Sequence, residues 1–306
     1  MKAQVTIGAL VLLLAGLAVL QAPAQQEEEN VRGAFLTSRP KEKPAQSSNE
    51  KPVRRRPRPA STTASTGPST PSSSNSAGPA STATPAPSNS GAAKMATQKM
   101  GLGVTLFTRD ANGLAVRVDP SHEFRNGESV RILLETNADG YLYIFNTTNN
   151  GPPVMIYPAA EIDDAGNYIQ SHVPFEIPSS TAAEERLRWF RFDDVAGTER
   201  LLFAFTREPL TGVPIEDDLI TYCREMKRSC SWKPSPEIWV QLQKEMNAPL
   251  KTDKSKKYGK AQTPSEQAAS TRGIGLSRQD PEPSLIMMAV STGSKSLVTS
   301  LDLIHK

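Results

Sequence analysis

Val104 and Leu106 alternate with Thr105 and Phe107, and Leu114, Val116 and Val118 repeat the pattern after the turn residues Asp110-Ala111-Asn112-Gly113. A period of two marks strands with one buried face. Val130, Ile132 and Leu134 share one face of a third segment, with Arg131 and Glu135 on the other. The turn Asn137-Ala138-Asp139-Gly140 leads into Tyr141-Leu142-Tyr143-Ile144-Phe145, which is apolar on both faces, as a central strand requires. Asn149-Asn150-Gly151-Pro152 reverses the chain into Val154-Met155-Ile156-Tyr157, and further strands are expected at about 187–192 and 200–206. Ile286–Val290 and Leu297–Ile304 close the chain as two more strands, with Leu297, Thr299, Leu301 and Leu303 on one face.

Residues 208–283 break this rhythm. Pro214 precedes the acids Glu216, Asp217 and Asp218, and Ile215, Leu219, Tyr222, Cys223 and Met226 form a helical stripe. Ser235 followed by Pro236 predicts an N-cap and first turn for a second helix reaching about Met246. The lysine-rich and then polar stretch 251–283 reads as a mobile loop. Many short strands with Gly/Asn/Asp turns and few helices predict a mainly β domain over 100–306. The expected form is an antiparallel β-sandwich with a helical insertion at about 208–283, with a partly closed barrel as the alternative.

The first hundred residues follow different rules. Lys2, the apolar run Val5–Leu20 and the small residues Ala22-Pro23-Ala24 predict a signal peptide over 1–24, cut between Ala24 and Gln25. The rival reading is an uncleaved anchor, although the run falls just short of a spanning helix. No second apolar segment is long enough to span a bilayer. The chain is therefore expected to be exported, to a periplasm or the outside medium. From Ala60 to Ala93 only Ser, Thr, Ala, Pro, Gly and Asn occur, so residues 25–99 are expected to form a disordered tether with nothing to bury.

Charge separates these parts. The chain carries a net +3, but residues 25–99 hold eleven Lys/Arg against five Glu, which leaves a mildly acidic domain behind a basic arm. That asymmetry points to an anionic envelope polymer or an unknown protein as partner, not to nucleic acid. Arg54, Arg55 and Arg56 form a candidate docking cluster, with a solvated charge run as the plainer reading. Cys223 and Cys230 are the only cysteines, and in an oxidising compartment they are expected to pair.

Phe124-Arg125-Asn126-Gly127-Glu128-Ser129-Val130-Arg131-Ile132 and Gly140-Tyr141-Leu142-Tyr143-Ile144-Phe145-Asn146 are followed, in order, by four further pieces. These are Ile156-Tyr157-Pro158, Ile177-Pro178, Phe190-Arg191-Phe192-Asp193 and Gly197-Thr198-Glu199, and the chain closes on Ser300-Leu301-Asp302-Leu303-Ile304-His305. This series resembles a bacterial domain of unknown function found in exported proteins and beside caspase-like peptidases and Ser/Thr kinases. The likeness covers roughly residues 101–206 and 285–305. It implies an Ig-like or jelly-roll-like sandwich acting as an accessory or binding module, and it brings no catalytic residues with it.

A search for chemistry finds little. No HExxH, phosphate loop, dinucleotide fingerprint or nucleophile elbow occurs, and Gly101-Leu102-Gly103 lacks the third glycine of a phosphate cradle. The only histidines are His122, His172 and His305, and ionisable groups are expected to be scattered. The acidic turn Glu161–Asn167 lacks calcium-loop spacing, and no cofactor or metal is expected. Tyr141, Tyr143, Phe145 and Trp189 read as core before binding face, whereas Trp232 and Trp239 are the first candidates for a partner surface. The expected function is a non-catalytic binding or scaffold module tethered at the cell envelope. The alternatives are an envelope hydrolase with an unfamiliar site and a structural protein assembling through β edges.

Overall fold

The computed structural model describes residues 31–42, 98–160, 166–226 and 230–306. The signal segment with Ala24 and Gln25, the cluster Arg54-Arg55-Arg56 and most of the tether lie outside the described residues. No helix among the described residues is long and apolar enough to cross a membrane.

Two sheets face one another. The first runs β11 (Leu250–Lys254), β12 (Leu285–Ala289), β1 (Gly101–Arg109), β4 (Ser129–Thr136) and β8 (Phe175–Ile177), with β2 (Ala115–Val118) paired to β1 and β9 (Phe190–Arg191) to β4. The second runs β3 (Glu123–Phe124), β13 (Ser296–His305), β10 (Gly197–Thr206), β5 (Gly140–Thr148) and β6 (Val154–Tyr157), with β7 (Tyr168–Ile169) on β5. Pairing is antiparallel except between β13 and β3. The mainly β sandwich expected from the alternation is the observed fold. Leu102, Val104 and Leu106 of β1 and Val130, Ile132 and Leu134 of β4 point inward against Leu142, Ile144, Leu201, Phe203 and Phe205 of the second sheet. One face of each strand thus supplies the sandwich core.

The opposite faces are covered as well, which is why β4 and β5 are buried on both sides. Over the second sheet lie α2 (Glu216–Met226) and α3 (Pro236–Met246). Ser235 caps α3 by accepting from the Ile238 amide, with Pro236 in the first turn, as expected. Tyr141, Tyr143 and Phe145 are core residues beneath these helices, with Leu219 and Leu242 packed on them. Cys223 and Cys230 form the expected disulfide, with Cα atoms 4.9 Å apart.

The outer face of the first sheet departs from expectation. Residues 251–283, read as a mobile loop, contribute β11 and α4 (Pro264–Arg272). Thr263 and Glu266 form a reciprocal capping box, and Gly273 ends α4 in the left-handed region at φ 65°. Residues 31–42, inside the stretch read as a tether, also pack here: 31–37 are helical (α1). Val31 and the fully buried Phe35 join Ile286 and Met288 in a separate apolar cluster. The predicted strand at 187–192 shrinks to a 3-10 turn, Glu185–Arg188, and the two-residue β9.

Candidate functional site

Register along the second sheet places the polar residues of interest. Glu199 pairs with Leu303 and Gly197 with His305, while Asn146 pairs with Leu201. Because side chains alternate across a strand, Asn146 and Thr148 continue the inward row begun by Leu142 and Ile144. Glu199 extends the row of Phe205, Phe203 and Leu201, and His305 the row of Leu301 and Leu303. At this end of the sandwich, core positions carry polar side chains.

The opposing sheet is short there, since beyond β1 the edge of β4 is covered only by the two-residue β9, through Ser129–Arg191 and Val130–Phe190. The result is a cleft of about 300 Å³ between the sheets. Val130, Ile156, Leu201 and Leu303 give it apolar walls, Phe190 and Phe192 an aromatic side, and Asn146, Glu199, His305, Asp193 and Arg191 its polar groups. Apolar walls with converging polar groups are what a small-ligand site requires.

One Glu199 carboxylate oxygen accepts from Asn146 Nδ2 and Thr148 Oγ1, both at 2.8 Å. That fixes the Asn146 amide and leaves its Oδ1 buried with no hydrogen-bond partner among the described residues. His305 is 5% exposed, rests on the Phe192 ring at 5.1 Å, and leaves Nδ1 buried and likewise unpaired among the described residues. Phe192 in turn stacks on Phe124 at 4.4 Å. A buried polar atom without a partner costs about 1–3 kcal/mol, so two in one cleft need an explanation.

Residues 123–209 match the family model of a domain of unknown function, DUF4384. No curated protein and no solved structure matches the chain. The DUF4384 match contains every cleft residue except Leu303 and His305, which β13 returns to the same end of the sandwich.

Trp232 and Trp239 are half-buried, as expected, with their rings 6.5 and 6.0 Å from Phe145, and they help seat the insertion on the second sheet. Trp189 lies under the Arg131 guanidinium, 4.0 Å from the ring centroid, on the outer face of the first sheet. A larger concavity of about 650 Å³ lies between the 206–211 turn, α3 and β13. Two of its charged side chains are held in place: Arg207 donates to the Ser294 and Gln98 carbonyls, and Glu245 accepts from Ser296 and Gln241.

The ionisable groups are not scattered. On the outer face of the first sheet, Arg39 donates to both Glu135 oxygens, and His172 Nδ1 lies 2.7 Å from the same carboxylate. Burial alone would raise the Glu135 carboxyl, but hydrogen bonds from His172 and Arg39, and their charges, hold it below its ordinary value. Ser38 Oγ lies 2.8 Å from His172 Nε2, so serine, histidine and carboxylate follow one another as in a hydrolase relay. The Ser38 hydroxyl also lies 2.6 Å from the Phe35 carbonyl, and Arg39 Nε donates to the Glu135 oxygen facing His172. These bonds hold residues 38 and 39 against the outer face of the first sheet. Arg117 and Glu266 form a second buried pair beside this cluster. Among the described residues no group of His, Cys, Asp and Glu is arranged to hold a metal ion.

Proposed function

We propose that this protein is an exported, non-catalytic binding module whose ligand site is the cleft at the Glu199/His305 end of the sandwich. The observation that carries this reading is the pair of buried, unpaired atoms, Asn146 Oδ1 and His305 Nδ1, in a partly apolar cleft. Asn146 Oδ1 can only accept, and Glu199 and Asp193 are acceptors too, so the complementary ligand presents N–H or O–H donors on a small apolar body. Export rests on the signal-like N-terminus and an oxidising compartment on the cysteine pair.

The spacing role changes in one respect. Because residues 31–42 dock on the domain, the expected cleavage site lies only a few residues before a segment packed on it. The test is amide NMR of the full chain against a panel of primary amines, amino sugars and simple sugars. Perturbations at Asn146, Gly197–Glu199 and His305 are expected. Perturbations confined to α3 and the 206–211 turn, or none from any probe at millimolar concentration, overturn the assignment.

A further inference from the structure

The segment 31–42 is bound to the domain as a ligand is bound to a receptor. Phe35 fills a seat whose floor is glycine: a Cβ on Gly101 would meet its ring at 2.9 Å, and one on Gly103 at 3.2 Å. Arg39 is 1% exposed, and besides its two bonds to Glu135 it donates to the carbonyls of Ser277, Asp280 and Pro281. Arg32 pairs with Asp253 and Glu282, both at 2.9 Å. Arg278 returns the contact by donating to the Arg39 and Thr37 carbonyls, and its amide donates to the Pro40 carbonyl. Every one of these partners lies on β1, β4, β11 or the 276–284 stretch, none close in sequence to the segment itself. The groove therefore recognises a short motif: two apolar residues one helical turn apart, then an arginine one turn further on.

Residues 43–97, roughly 55 positions, are what join this motif to its groove. A covalent connection holds a motif near its groove at an effective concentration on the order of millimolar, which closely packed neighbouring copies can rival.

We propose that the groove over Gly101 and Gly103 is an exchangeable peptide site, filled by the chain's own residues 31–42 in dilute solution and by those of a second copy when copies are crowded. The charge complementarity of Arg39 and Arg32 with Glu135, Asp253 and Glu282 defines the occupant and supplies the test. A full-length Arg39→Glu chain and a full-length Glu135→Arg chain each place like charges in their own groove. Mixed, each can offer the other an oppositely charged partner.

The expected result, by light scattering at tens of micromolar, is that each variant alone is monomeric and the equimolar mixture has the mass of a dimer. A mixture that stays monomeric while both variants keep native circular dichroism overturns the proposal. If either variant fails to fold, the wild-type chain carrying a protease site within 60–93 is cut and titrated with a labelled synthetic peptide of residues 31–42. Displacement of the native fragment by that peptide, at least tenfold weaker with Arg39→Ala in the peptide, is expected. A native fragment that never exchanges, or is displaced equally well by both peptides, overturns it.

Discussion

Arg39 Nε and Nη2 donate to the two carboxylate oxygens of Glu135 at 2.8 and 2.6 Å, joining residues 96 positions apart in a pair with almost no solvent contact. Removing one partner of such a pair strands the other charge in a low-dielectric setting. Arg39→Ala is therefore expected to destabilise the domain by about 3–5 kcal/mol. The double variant Arg39→Met/Glu135→Leu is expected to lose less than Glu135→Leu alone. Urea denaturation of the three chains measures this, and a double variant as weak as the sum of its parts would sink the account.

Acid provides an independent handle on the same pair. Glu135 is held below its ordinary value, so its stabilisation is fully present above the unfolded carboxylate pKa, about 4.3, and is lost as pH falls through the lower folded value. The charged and titratable groups facing it are Arg39 and His172. Relative to Glu135→Gln, the wild-type chain should show a stability advantage that shrinks as pH falls below the unfolded carboxylate value. Asp302, held low by Arg200, and Asp119, lowered to about 2 with Lys254 beside it, lose stabilisation in the same direction in both chains and cancel in the comparison. An advantage that persists undiminished to the acid limit of folding would mean that the pairing is not ionic.

The glycines of β1 are a packing device. Gly103→Ala would bring a methyl to 2.5 Å from Pro283 and 3.2 Å from Phe35, and Gly101→Ala would press Phe35 at 2.9 Å. Overpacking of this kind costs about 1–3 kcal/mol. Either change should loosen residues 31–42, making the bond after Arg32 more sensitive to trypsin. Phe35→Leu in the same chain should partly rescue Gly101→Ala. Unchanged trypsin resistance of both glycine variants would show that the seat has room to spare.

The sandwich was legible because its inward rows alternate cleanly, as in Val104–Leu106 and Val130–Ile132–Leu134. The outer layer was not, for reasons specific to its residues. The sequence of α4 carries a full capping box in Thr263–Glu266 and a terminating Gly273. Its buried residues, however, are Glu266, Ala269 and Ser270, so no apolar stripe announces it. Phe35 and Arg39 sit in a polar, proline-broken stretch, and their burial depends on Gly103, Glu135 and Pro281, which no local pattern links to them. The cleft did leave a trace. Asn146, Glu199 and His305 occupy positions where the period of two calls for an apolar side chain, and such local conflicts are where function concentrates.

That conflict yields the sharpest test of the cleft. If Asn146 Oδ1 and His305 Nδ1 are unpaired because they await a ligand, the domain bears their desolvation without return while the cleft is empty. His305→Phe removes one orphan and keeps a ring against Phe192, so it should leave stability unchanged or raise it by about 1 kcal/mol. The same variant should weaken at least tenfold the binding of whichever amine or sugar probe perturbs Glu199 and Asn146. Thermal unfolding and NMR titration of one protein sample supply both numbers. If His305→Phe instead destabilises the domain by more than about 2 kcal/mol and leaves probe binding intact, the histidine is a structural member of the core. The cleft would then lose its claim to be a site.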